Sequence, residues 1–350
     1  MSEKKPWSKG SYEKVPLRSD SIRVAIVQSR LAVGDPVKNR KENLGHMLQL
    51  IDMTQGRDPK DLLAFHEFPL GGLGSMTADR KHCIRASIAL PGEETDAIGE
   101  KAKKYNCYIE LGCYATLPEW PNHFHNMGVI IGPNGKVIHT HWKMRNLSGF
   151  GFSTTVNDVL DKYVEMYGWD AVFPIAKTDI GNIAIIPEVG EPELGRAYAI
   201  KGAEIVIRYM TGGASHWSFH PLAQRGGKHN TFIVDFQGMC IAGHFYGLFV
   251  NNAISPREGV MFNQGSGCSM IIDCDGRIMK EVSSFNETVI SEAIPMAAYR
   301  KVHKIPNWPK DFYMHLYEEY VPKFPANTFL EALPDSMPDG ARHYRERANW

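Results

Sequence analysis

Short apolar runs alternate with segments of helical spacing along the first half of the chain. Residues 39–55 and 95–106 carry apolar side chains at the spacing of an amphipathic helix. Asn134-Gly135 supplies the positive-φ turn of a hairpin. Four apolar runs predict buried or half-buried strands: IRVAIVQ (22–28), LLAFHEF (62–68), CYIELGCYA (107–115) and GVIIG (128–132).

A second alternating series follows Val172. Its predicted strands are NIAIIP (182–187), AEIVIRY (203–209), TFIVDFQ (231–237) and the hairpin CSMIIDCDGRIMKEV (268–282). Its predicted helices are PELGRAYAIKG (192–202) and HPLAQRGGKHN (220–230). Strands alternating with helices and ending in hairpins indicate an α/β fold, with helices outside the sheets.

Composition narrows the classes of partner and compartment. The 350 residues are 43% hydrophobic, enough for a large core, and 39 basic residues balance 39 acidic ones, so no basic surface points to nucleic acid or an anionic membrane. A small-molecule partner is expected. The six cysteines are scattered without CxxC pairs, which predicts reduced thiols. The polar N-terminus and the lack of an apolar run of membrane length predict a cytoplasmic protein.

Three ionisable residues stand where chemistry could occur. Glu67 ends an apolar strand, where burial would oppose ionisation and favour a general base; a solvent-exposed strand end is the alternative. Lys143 follows another strand between Trp142 and Met144, and a desolvated lysine can hold an oxyanion. Glu165 lies among aromatic residues in a predicted loop.

The order and spacing of these segments, from about Ile22 to Val282, resemble the nitrilase, or carbon-nitrogen hydrolase, superfamily, and above all its aliphatic amidase and formamidase branch. HNMGVIIGPNGKVIHTHWK is similar to the family's Asn-containing strand and hairpin, and PELGRAYAIKGAEIVIR to the segment after its nucleophile. The resemblance implies that Glu67, Lys143 and Glu165 occupy the positions of the family's two glutamates and lysine.

The resemblance also implies a four-layer α-β-β-α sandwich that forms a homo-oligomer. On this basis residues 21–299 form the carbon-nitrogen hydrolase domain, after a flexible N-terminal segment, 1–20. Residues 300–350 form a tail, rich in proline, aromatic and charged residues, that wraps around the body or a neighbouring subunit.

The sequence departs from the family at its nucleophile. Counting back from Pro192-Glu193, the pattern Cys-x-Asp/Glu-x-x-x-Pro-Glu places its cysteine on Ile186 and its acidic residue on Glu188. An isoleucine cannot form a thioester, because covalent catalysis needs a nucleophilic side-chain atom. The usual amidase mechanism is therefore excluded at this position.

Three hypotheses remain. The first is an atypical enzyme that acts on a small amide-like compound by general acid/base chemistry, with Glu67 as base, Lys143 as electrostatic stabiliser and Glu165 as orienting group or acid. Such a site could activate water directly or transfer protons in a lyase or isomerisation step. The second is a substitute nucleophile, Cys113 or Cys240, although free cysteines are more often buried in cores. The third is a non-catalytic relative that binds a small ligand in the same pocket.

Loops around the pocket complete the predicted site. His216 and Trp217 lie where the family's substrate-contacting loop is found, and with Glu188 they are predicted to bind substrate. His216 and His220 stand four apart, but the neighbouring glycines and proline disfavour the helix that a metal pair would need. We therefore expect no metal and no cofactor. The long segment 146–170 is expected to cover the pocket mouth.

Overall fold

The computed structural model of the chain describes residues 10–30, 35–56, 58–71, 79–146, 151–187, 191–211, 231–253 and 267–350. Within these ranges two sheets form the centre of the molecule. The helices are α1 (Pro36–Gln55), α2 (Arg80–Ala86), α3 (Glu93–Tyr105), α4 (Leu160–Tyr167), α5 (Pro192–Lys201), α6 (Thr231–Gly243), α7 (Met296–Val302), α8 (Lys310–Glu319) and α9 (Met337–Glu346).

The first sheet is formed mainly by the N-terminal half of the chain. Its strands are β1 (Ile22–Gln28), β2 (Leu62–Phe65), β3 (Ile88–Ala89), β4 (Tyr108–Thr116), β5 (His125–Ile131), β6 (Val137–Trp142) and β13 (Thr288–Ile294). They are ordered β13-β1-β2-β4-β5-β6, with β3 paired to β4. Strands β1, β2 and β4 are parallel, whereas β5 and β6 form an antiparallel hairpin beyond them.

The second sheet comes from the middle of the chain. Its strands are β7 (Ala176–Thr178), β8 (Gly181–Ile185), β9 (Ile205–Tyr209), β10 (Tyr246–Val250), β11 (Met270–Ile272) and β12 (Ile278–Glu281). They are ordered β12-β11-β10-β9-β8-β7, and β8, β9 and β10 are parallel. The parallel strands of each sheet end at the edge where the candidate site lies.

The side chains divide into layers as the alternation of a strand requires. Ile26 of the first sheet and Ile183 and Ile207 of the second belong to the apolar cluster between the sheets. On the outer face of the first sheet, Phe65 belongs to a cluster with residues of α1 and α3. On the outer face of the second, Val206 packs with residues of α5 and α6. The fold is a four-layer α-β-β-α sandwich, as the resemblance implied.

A glycine lets the two sheets approach closely beside the site. A Cβ atom at Gly128 of β5 would lie 2.8 Å from the side chain of Ile185 on β8 and 3.0 Å from the ring of Tyr209 on β9. Any larger residue would push the sheets apart. Gly128 therefore brings the middle of β5 against the second sheet.

Most of the predicted elements form, but two predictions of secondary structure are wrong. Glu165, predicted to lie in a loop, lies on helix α4. Strand β1 has the predicted bounds, and the hairpin turns at Gly135 with φ of 77°. The segment TFIVDFQ, predicted to be a strand, instead begins helix α6. Its buried residues Ile233, Phe236 and Cys240 recur at helical spacing. The helix predicted over 220–230 lies outside the described residues.

The N-terminal segment was expected to be flexible to residue 20, but it packs on the body from Tyr12 onward. The buried Tyr12 hydroxyl donates a 2.7 Å hydrogen bond to Glu204, and Arg300 of α7 donates two further bonds to the same carboxylate, of 2.8 and 2.7 Å. An aromatic ring with a hydroxyl partner fixes this segment against the second sheet. Among the described residues, no helix is both long and apolar enough to cross a membrane.

Candidate active site

Glu67 lies just after the end of β2, between the two sheets. Its backbone N–H donates to the carbonyl of Met210, beyond the end of β9, at 3.4 Å. Gly112 of β4 passes directly beside it, since a Cβ atom there would lie 2.6 Å from the Glu67 Cα atom. The Glu67 side chain is 12% exposed. The carboxylate is therefore held at the mouth of the inter-sheet space and not in open solvent.

The β5–β6 hairpin supplies two partners for this carboxylate. The side-chain amide of Asn126, at the start of β5, donates a 2.6 Å hydrogen bond to Oε1 of Glu67. The Nζ atom of Lys143, just after β6, lies 3.5 Å from the same oxygen. The pairing of the hairpin aligns the two residues, because the Lys143 backbone N–H donates to the Asn126 carbonyl at 2.8 Å. The structure thus joins the predicted base and the predicted stabiliser.

This arrangement gives the two carboxylate oxygens different roles. Within the described residues, both the Asn126 hydrogen bond and the Lys143 ion pair fall on Oε1. Oε2 is the oxygen left to accept a proton from a bound molecule, while the lysine ammonium can stabilise negative charge beside it. The sequence motif contained Asn126, but sequence reasoning assigned it no role.

Ile186 extends the second sheet by one residue beyond β8. Its backbone N–H donates to the carbonyl of Ile207 at 2.8 Å. Its side chain is fully buried in the apolar cluster that includes Leu194 and Tyr198 of α5. The position predicted to replace the nucleophile is thus part of the core under the outer helices. Glu188 lies outside the described residues.

Glu165 does not join the pair. It is exposed on α4, and within the described residues its side chain makes no hydrogen bond or ion pair with Glu67 or Lys143. The buried face of this helix carries Tyr163. Two residues further along an α-helix is a rotation of about 200°, which turns Glu165 towards solvent.

A different carboxylate is buried in this part of the chain. Asp158 is 1% exposed and accepts hydrogen bonds from the hydroxyls of Thr155 (2.6 Å) and Tyr344 (2.7 Å). Burial raises the pKa of Asp158 to about 6, although these hydrogen bonds favour the charged form and oppose the shift. Sequence reasoning missed Asp158. The spacing of Thr155 and Asp158 is a local signal for a capped turn, but it gives no sign of the distant tyrosine.

Neither alternative nucleophile reaches the Glu67–Lys143 pair. Cys113 of β4 is buried in the cluster on the outer face of the first sheet, and Cys240 of α6 is buried in the cluster on the outer face of the second. Burial raises the pKa of both thiols well above the usual range, so both are protonated and unreactive near neutral pH.

A cavity of about 1110 Å³ lies between the body and the C-terminal tail. Arg145 and Glu191, which form an ion pair, lie on its inner wall, and tail residues that include Tyr313, Tyr320 and Tyr344 form its outer wall. In the sequence, Arg145 is two residues after Lys143 and Glu191 is five after Ile186.

The remaining predicted contacts cannot be placed. His216 and Trp217 lie outside the described residues. Across the ranges that the structure describes, no group of three or more His, Cys, Asp or Glu side chains is arranged to hold a metal ion.

Comparison with known proteins places this geometry in context. Residues 23–304 match the family model described as carbon-nitrogen hydrolase. The omega-amidase NIT2 of Danio rerio is 27% identical over 220 residues, which are 59% of this chain and 69% of that protein. The beta-ureidopropionase of Arabidopsis thaliana is 27% identical over 202 residues, 56% of this chain but only 47% of that protein.

The fold also matches solved structures. A crystal structure of a carbon-nitrogen hydrolase from Helicobacter pylori G27 superposes with a TM-score of 0.63 at 17% identity, covering 86% of this chain and 95% of that chain. At this identity the likeness concerns the fold alone.

Proposed function

The chain belongs to the carbon-nitrogen hydrolase family, and on that premise we propose that it hydrolyses a small amide-like compound without a cysteine nucleophile. Glu67 acts as general base and Lys143 as electrostatic stabiliser. The observation that carries the proposal is the contact of Asn126 and Lys143 with one oxygen of Glu67, at 2.6 and 3.5 Å. This contact orients the carboxylate and leaves its other oxygen available.

The proposed reaction needs one water molecule and no covalent intermediate on the protein. Oε2 of Glu67 takes a proton from water as the water oxygen bonds to the carbonyl carbon. The Lys143 ammonium stabilises the negative charge that develops on the carbonyl oxygen. The carbon-nitrogen bond then breaks, and Glu67 returns the proton to the departing nitrogen. A primary amide and water thus yield a carboxylic acid and ammonia.

This mechanism leaves open the predicted role of Glu165 as acid. Glu67 can carry the proton in both directions, and the exposed position of Glu165 provides no contact with it. The variant Glu165→Gln tests this role directly. We expect it to retain at least half of the wild-type rate.

The alternative proposal is a non-catalytic relative that binds a small ligand in the same pocket. The packing of Ile186 favours it, because a fully buried aliphatic side chain fills the position of the thiol. A buried ion pair such as Glu67–Lys143 could persist after catalysis is lost, since removing one member alone is destabilising.

Ammonia release separates the two proposals. Purified wild-type protein, Glu67→Gln, Ile186→Cys and Glu165→Gln would be incubated with a panel of small aliphatic and aromatic amides. We expect turnover by the wild type and a loss of at least a hundredfold in Glu67→Gln, within the range that general bases contribute. An inert wild type together with activity in Ile186→Cys would refute the altered mechanism and support the non-catalytic relative.

We also propose that the protein is a homo-oligomer, as the family resemblance implies. Helix α8 has no buried residue, and its large apolar side chains Phe312 and Leu316 are 71% and 57% exposed. An exposed apolar surface of this kind marks an interaction site. Light scattering after gel filtration should show a dimer or larger species, and Phe312→Ser with Leu316→Ser should reduce its mass. A monomeric wild type would contradict the proposal.

The cytoplasmic location stays a prediction. All six cysteines are free thiols, which suits a reducing compartment. Cell fractionation would test it, and recovery in a secreted fraction would refute it.

A further inference from the structure

The backbone of Lys143 is hydrogen-bonded to Asn126 on one side and to the loop of residues 155–158 on the other. The carbonyl of Lys143 accepts a 3.1 Å hydrogen bond from the N–H of Val156, and that of Met144 accepts a 2.9 Å bond from Asn157. Residues 143–144 therefore lie between Asn126 and the loop and are hydrogen-bonded to both. The position of the ammonium therefore depends on where residues 156–157 lie.

The loop is in turn fixed by the buried carboxylate of Asp158. One oxygen, Oδ2, accepts the Thr155 hydroxyl at 2.6 Å and the Asn146 amide at 3.4 Å. The other oxygen, Oδ1, accepts the Tyr344 hydroxyl at 2.7 Å, its single donor among the described residues. Without Tyr344, this oxygen would be left buried and unsatisfied, which costs more than an ordinary hydrogen bond contributes.

Tyr344 belongs to α9, so the donor comes from the C-terminal tail. The tail contacts the same loop at two further points. The backbone N–H of Asn327 donates to the Asn157 carbonyl at 2.7 Å, and that of Phe329 donates to the Asp158 carbonyl at 3.0 Å. The tail thus closes over the residues that hold Lys143.

We infer that the C-terminal tail positions Lys143 against Glu67, with Tyr344 as the positioning residue. Tyr344 acts through Asp158 and the loop and does not touch the reacting groups. A lysine side chain is long and flexible, so an ion pair of fixed geometry requires a fixed backbone. The inference rests on the roles proposed for Lys143 and Glu67.

The coupling between Lys143 and Glu67 provides a test that does not depend on turnover. A double-mutant cycle of Lys143→Met and Glu67→Gln, measured by urea unfolding of the full chain, isolates their interaction. We expect a coupling of about tenfold in the unfolding equilibrium constant, or about 1.4 kcal/mol. In the Tyr344→Phe background we expect it to fall below threefold.

A matched control is Tyr320→Phe. Tyr320 lies on the wall of the same tail cavity and is 62% exposed, and within the described residues its hydroxyl makes no hydrogen bond. The tenfold coupling should persist in this background. An undiminished coupling in Tyr344→Phe, or a wild-type coupling below threefold, would overturn the inference. A loss of overall stability with unchanged coupling would show that Tyr344 is only structural.

A second variant covers the case in which Tyr344→Phe does not fold. Asp158→Asn keeps the size of the side chain but leaves one acceptor oxygen where Asp158 has two for the hydroxyls of Thr155 and Tyr344, so it weakens the same link to the tail. The same drop in coupling is expected there, and its absence would overturn the inference. If the proposed function fails, the wild type will release no ammonia, but the coupling can still be measured.

Discussion

The two sheets meet at the candidate site with different chemistry. At the end of the first sheet, Glu67 is bonded to the amide of Asn126 and the ammonium of Lys143. At the end of the second, Ile186 packs against Leu194 and neighbouring apolar side chains. One side of the site is polar and hydrogen-bonded, whereas the other has become part of the core.

The stability of the fold alone accounts for the apolar side of the site but not for the polar side. Replacing buried polar groups with apolar ones of similar size is often neutral or stabilising, so Ile186 needs no function to account for it. The polar side is harder to explain by stability, because three groups must be desolvated together. Its retention favours binding or catalysis at the first sheet.

The largest expected effect concerns a buried histidine of the first sheet that contacts helix α5 on the apolar side. His141 of β6 is 1% exposed, with Nδ1 3.1 Å from the Tyr198 hydroxyl. Burial, with a smaller contribution from His139, lowers the pKa of His141 from 6.5 to about 3. The unfolded chain therefore takes up this proton at a higher pH than the folded chain. Stability from this group is complete above pH 6.5 and is lost as the pH falls, at about 1.4 kcal/mol per unit.

Urea unfolding between pH 7.5 and 3.5 measures this loss, which totals about 4 kcal/mol over the three pH units below 6.5. His141→Gln keeps an acceptor for the Tyr198 hydroxyl and should flatten the acid side of the profile. His315→Gln, on the exposed face of α8, should not. Equal profiles for wild type and His141→Gln would show that His141 does not set acid stability.

The next effect concerns the apolar side. Ile186→Ala should lower the free energy of unfolding by about 3 kcal/mol, because it leaves a cavity in a fully packed cluster. Met53→Ala, on a side chain that is 75% exposed, should change it by less than about 0.5 kcal/mol. Similar losses in the two variants would mean that Ile186 is not a core residue.

The smallest effect concerns the ion pair itself. Lys143→Met should lower the free energy of unfolding by about 1.5 kcal/mol, the scale of a hydrogen bond to a charged group, since it leaves Glu67 with Asn126 alone. Asn126→Asp should have a larger effect than Asn126→Ala, because it places a second carboxylate beside the first. Chemical denaturation at pH 7.5 measures all three variants. A larger effect for the alanine variant would contradict the contact between Asn126 and Glu67.

The sequence predicted the parts of this comparison that local patterns determine. The apolar strand before Glu67 and the Asn134-Gly135 turn before Lys143 placed each residue at the end of a strand, and the family resemblance supplied their pairing. Helix α6 was misread because a short run rich in β-branched and aromatic residues, such as TFIVDFQ, suits a strand as well as a buried helix. Only its packing against the second sheet decides between them.

Contacts between distant parts of the chain could not be predicted in this way. Asp158 depends on Tyr344, which is 186 residues away in sequence. Glu165 was chosen by its match to the second glutamate of the family, but the rotation of α4 directs it to solvent while Tyr163 faces inward. A linear pattern gives neither the rotation of a short helix nor the partner of a buried carboxylate.

The pairing of β13 with β1 has a consequence for synthesis on the ribosome. Ile22 of β1 pairs with Ile294 of β13. The outer edge of β1 therefore stays uncovered until β13 has been synthesised. During elongation that edge exposes unpaired N–H and C=O groups to other nascent chains. A transcript that ends before β13 would yield a fragment with both Glu67 and Lys143 but with an open edge, and we expect such a fragment to aggregate.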